Sequence, residues 1–116
     1  MSTPADWIEH RRPDGERLGW MRPVGDLFVV IDLLGRARTG PLEWLEAEET
    51  LDALGIGYLA DPYELRVGDE WRRVRMLEVS TRAIRVKDED WGDMTAPTTE
   101  HSLPFPMPET LRPYQG

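Results

Sequence analysis

The chain has 116 residues, 40% of them hydrophobic, and a formal net charge of −8. That is the length of one domain, with enough apolar content for one core, and its acidic balance argues against general attraction to nucleic acid or anionic membranes. It has no cysteine, which excludes disulfides, thiolate zinc sites and thiol catalysis.

No run approaches the roughly 18 apolar residues of a membrane span. The start, MSTPADWIEH, lacks the basic end and apolar centre of a signal peptide. A cytoplasmic protein with no membrane partner is therefore expected. Of the 14 basic residues 13 are arginine, and only Lys87 is lysine. A GC-rich genome gives that bias through codon usage; planar anion recognition would give it through selection.

Residues 7–12 and 17–23 flank Pro13-Asp14-Gly15-Glu16 and read as a hairpin, because proline presets the turn and glycine accepts positive φ. Val24-Gly25-Asp26 turns into LFVVIDLL (27–34). That strand is apolar in both parities, with Asp32 on the Phe28 side, so each face needs a cover. Thr39-Gly40-Pro41 opens a helix over about 42–54, with Trp44, Ala47, Leu51 and Leu54 on a buried stripe and Gly55 as its stop. Ile56–Leu59 reads as extended.

Residues 63–87, YELRVGDEWRRVRMLEVSTRAIRVK, carry the strongest pattern in the chain. They read as three strands and two tight turns. Tyr63, Leu65, Val67, Ile84 and Val86 face in, while Glu64, Arg66, Arg85 and Lys87 face out. The alternation slips between Val74/Met76 and Leu77/Val79, which predicts a bulge near Met76. Beyond Thr95, five of the ten prolines make an extended C-terminal segment (95–116) packing as a strap on a domain of residues 1–94. The fold class is α+β: a curled, mostly antiparallel sheet of six or seven strands, one central helix and this strap.

Two surfaces are candidates for binding. The first is a sheet face with Arg66, Arg73, Arg75, Arg85 and Lys87, and with Trp71 beside them. Arginine next to an aromatic on an exposed sheet suits single-stranded nucleic acid or another phosphate-bearing ligand. The plainer alternative is that Glu64, Glu78 and neighbouring acids pair with these arginines across strands. The second surface is Leu45 amid Glu46, Glu49 and Asp52, an apolar group in an acidic rim that suits a protein interface. The plainer alternative there is a solvated helix face.

Asp88–Asp93 is acidic but fails the calcium-loop pattern, with Thr99 where a bidentate glutamate belongs. No metal and no cofactor is expected. His10 and His101 lie far apart in sequence, and no nucleophile, zinc or nucleotide motif surrounds them. No catalytic residue is named, although 22 Asp and Glu leave carboxylate catalysis open.

The stretches LGWMRPVGDLFVVIDLLGR (18–36), LDALGIGYLADPYELRV (51–67) and LPFPMPETLRP (103–113) resemble short hypothetical proteins of high-GC Gram-positive bacteria. The resemblance implies a bacterial cytosol and carries over no functional residue. Together these readings point to a non-catalytic protein-binding or accessory module, its partner another protein or a second copy. Recognition of nucleic acid by the arginine face is the alternative, and a small carboxylate hydrolase or isomerase a third.

Overall fold

The computed structural model describes residues 6–89 and 99–115. It is α+β, with one α-helix and two open antiparallel sheets among the described residues. Internal contacts divide the chain into two compact units, residues 2–57 and 58–116.

The first unit holds β1 (Ile8–Arg11), β2 (Arg17–Val24) and β3 (Leu27–Ile31) in that spatial order. The two hairpins turn where the sequence predicts, with Gly15 and Gly25 at positive φ. Pairing runs from His10↔Gly19 to Arg11↔Arg17, so Leu18 is an extra residue. It joins Met21, Val30, Ala47 and Leu51 in a buried cluster. Gly19 lets β2 pass close to its neighbours there: a Cβ on it would strike the Ile31 carbonyl oxygen and come within 2.9 Å of Leu51.

Val29, Val30 and Ile31 are consecutive and all buried, so β3 is covered on both parities, as its two-sided pattern requires. The strand ends at Ile31 rather than at 34, and Asp32 is the reason. Its wholly buried carboxylate accepts the Leu34 and Arg36 backbone N–H groups at 2.9 Å each. It also accepts Arg36 Nε and Arg38 Nη1 at 2.8 Å. These bonds fold the chain into a turn where continued strand was expected. A buried charge is tolerable only when paired and hydrogen-bonded in this way.

Helix α1 (Trp44–Leu54) starts two residues later than the expected 42. Leu42 instead exchanges two 2.8 Å backbone hydrogen bonds with Phe28. Ala47 and Leu51 are buried as predicted, and Gly55 closes the helix with its N–H on the Leu51 carbonyl. Trp44 does not head the buried stripe. It is 43% exposed, and its ring meets Phe28 edge-on at 5.1 Å. Ile56–Leu59 was expected as extended, but Gly57–Ala60 forms a 3₁₀ turn.

The second unit is a five-stranded sheet of β4 (Tyr63–Val67), β5 (Glu70–Val79), β6 (Ile84–Asp88), β7 (Glu100–Leu103) and β8 (Leu111–Pro113). The spatial order is β7-β6-β5-β4-β8. Tyr63, Leu65, Val74, Ile84, Val86 and Leu111 are all buried. Among the described residues eight strands in two open sheets stand in place of the one curled sheet of six or seven expected, and the C-terminal segment supplies two of them, one at each edge of this sheet. Residues 104–110 join those edges, and Phe105 within them is buried. Pro104, Pro106 and Pro108 lie between strands, and Pro113 closes an edge strand, where a missing N–H is tolerated. No helix among the described residues is long and apolar enough to cross a membrane.

Candidate functional site

Directly opposed residues of antiparallel strands share a sheet face. Between β4 and β5 the opposed pairs include Glu64↔Arg73 and Arg66↔Trp71. Between β5 and β6 they include Arg75↔Lys87 and Glu78↔Arg85, with the register shifting between Met76 and Glu78. The bulge therefore falls at Leu77, next to Met76 as the broken alternation implies. Arg66, Trp71, Arg73, Arg75, Arg85 and Lys87 accordingly lie on one face. Glu100 and Ser102 join it from β7, and Arg112 from β8. Arg72 is on the opposite parity, facing Leu65 across the strands.

The guanidiniums on this face are mostly held by carboxylates. Glu89 takes Arg73 Nε at 3.1 Å and Arg75 Nε at 3.0 Å. Arg85 reaches Glu78 at 3.1 Å and Glu100 at 2.6 Å. Arg112 Nε donates to Glu64 at 2.6 Å, and Glu64 is only 9% exposed. Arg66 Nε donates to the Gly68 carbonyl at 3.2 Å. Lys87 has no carboxylate at ion-pair distance among the described residues.

Two aromatics are capped by cations. The Arg112 guanidinium lies 3.7 Å from the Trp71 ring centroid, and that of Arg73 lies 4.6 Å from Tyr114. Arg112 thus ties the buried Glu64 to Trp71. The face is a lattice of six cations, four carboxylates and two stacked rings, not a bare cationic surface.

The helix patch is divided. Leu45 is 64% exposed, and Glu46 and Glu49 are exposed beside it. Asp52 is engaged: His10 Nε2 sits 3.0 Å from its carboxylate, and His10 Nδ1 sits 3.7 Å from Glu48. His10 therefore ties β1 to α1. His101 has its own partner, Asp88, at 2.9 Å, and Arg72 reaches that same carboxyl group at 3.3 Å. Asp88 and Glu89 of the acidic run are both occupied in this way. The rest of the run, Asp90–Asp93, lies outside the described residues. Among the described residues no group of three or more His, Cys, Asp or Glu is placed to hold a metal.

No protein-family model, curated protein or solved structure matches this chain. The site therefore stands on its own geometry. Sequence reasoning gave Arg112 no role, read Asp32 as part of a strand and read Glu89 as part of an acidic turn. Arg112 takes the outer parity only once Leu111–Pro113 is known to pair as a strand with β4. Glu89 reads as loop acid until β6 places it beside Arg73 and Arg75.

Proposed function

We propose that this protein is a non-catalytic, cytoplasmic protein-binding module that works through the outer face of its five-stranded sheet. One observation carries the reading: four of the guanidiniums on that face, those of Arg73, Arg75, Arg85 and Arg112, are already paired with Glu64, Glu78, Glu89 and Glu100. A polyanion would have to displace those carboxylates or approach against them. A protein surface can instead use the paired charges, the stacked Trp71 and the exposed Tyr114 as they stand. Arginine, tryptophan and tyrosine are the residues most enriched at interface hot spots. Residues 104–110 serve this reading as a strap that joins the two edges and leaves the charged face open.

The test is site-specific photo-crosslinking in cells, with a photoreactive phenylalanine analogue at Tyr114 and, as control, at Ala53 on α1. A discrete protein adduct from position 114, absent from position 53 and lost when Arg85 and Lys87 are both changed to Glu, is the expected result. Adducts equal at both positions, or unaffected by the charge reversal, contradict it.

The second reading, phosphate recognition, draws on Arg66 and Lys87, which have no carboxylate partner among the described residues. Titration with a single-stranded oligonucleotide at low salt separates the two, because phosphate contacts are strongest there. The protein-binding reading expects no saturable binding.

A further inference from the structure

We propose that the groove opened by the β5 bulge is a binding site for a small amphipathic carboxylate, a hydrocarbon chain ending in one negative charge. This inference is independent of the protein-docking reading. The groove encloses about 400 Å³ and is lined by Arg75, Met76, Leu77, Lys87, Asp88 and Glu89. That volume lies within the range of about 300–1,000 Å³ typical of small-molecule sites, which pair mostly apolar walls with a few polar groups.

The bulge creates the groove. It places one residue of β5 outside the pairing with β6, and bulges of this kind re-aim a side chain. Leu77 is turned outward and is 47% exposed, while Met76 stays partly buried. The two supply an apolar wall that water solvates poorly.

The charges around that wall select the ligand. Asp88 is occupied by His101 and Arg72. Glu89 is occupied by Arg73 and Arg75, and Arg75 Nη1 also donates to the Ala60 carbonyl at 3.1 Å. Lys87 is the remaining charge on the groove, and among the described residues nothing pairs with it. An ammonium beside an exposed leucine and a partly buried methionine complements one anion on an aliphatic chain. A cation is repelled by Lys87 and finds the carboxylates taken. A polyphosphate would leave the apolar wall unused.

The full chain is titrated with octanoate, octanol and octylammonium, and amide shifts are followed by NMR. Octanoate is expected to bind saturably, with shifts centred on Met76, Leu77 and Lys87, and more tightly than the other two. Lys87→Glu weakens octanoate by about fivefold, the scale of one exposed ion pair, and turns the preference toward octylammonium. Leu77→Ser weakens both ligands. Both positions are exposed, so unchanged melting temperatures serve as the folding control. The proposal is overturned if octanoate produces no saturable shift or shifts elsewhere, if octanol binds as well as octanoate, or if Lys87→Glu leaves the preference unaltered.

Discussion

Residues 2–57 take a carboxylate into their interior and build a turn around it, whereas the described residues of 58–116 set most of their arginines and glutamates on one sheet parity. In the first unit β3 is buried on both parities, and Asp32 at its end satisfies four donors while wholly shielded from water. In the second, the buried parity is mainly apolar, with Arg72, Asp88 and His101 paired on it, and the other is a lattice of arginine and glutamate. The same ion-pair chemistry has different consequences in the two places. Breaking a buried pair strands a charge and costs several kcal/mol. Breaking an exposed pair costs little, because water replaces the partner. The first arrangement therefore holds the fold, and the second contributes little to it.

Substitutions can break or sharpen that contrast. Asp32→Ala should have the largest effect, a loss of about 3–5 kcal/mol, because it leaves two guanidiniums and two backbone N–H groups without their acceptor. Chemical denaturation measures it, and a loss below about 1 kcal/mol would equate this site with a surface pair. Gly19→Ala comes next, at about 2–3 kcal/mol, since its Cβ has no room between the Ile31 carbonyl and Leu51. Glu89→Gln should cost at most about 1 kcal/mol, because Arg73 keeps its stack on Tyr114 and Arg75 its bond to the Ala60 carbonyl. Leu77→Ser should be smallest, within about 0.5 kcal/mol, because the bulge already exposes that side chain.

The second unit was more legible from sequence than the first. One strict alternation with a single break fixed the faces of Arg66, Trp71, Arg73, Arg75, Arg85 and Lys87, and the break marked the bulge. Local periodicity carries that information because side chains in a strand alternate faces. The pairing of the arginines was legible in part: Glu78 was expected to hold one of them and holds Arg85, whereas Glu64 holds Arg112. Glu89 and Glu100 reach them from loop and neighbouring strand, and only register brings them together. In the first unit, the Asp32 turn and the Leu42 bridge overrode local pattern. Asp32 sits in an apolar run that reads as continuous strand, and its partners are side chains four and six residues further on. Trp44 obeyed helical spacing, yet the helix began beside Phe28, and the ring settled at its edge instead of in the core.

The most direct test of the account is oligonucleotide binding at low salt by the native chain and by a Glu78→Gln/Glu89→Gln/Glu100→Gln variant. If carboxylates hold the outer guanidiniums, the native chain shows no saturable binding, and the variant binds with an affinity that falls steeply as salt rises. Binding by the native chain, or a variant that gains none, would contradict it.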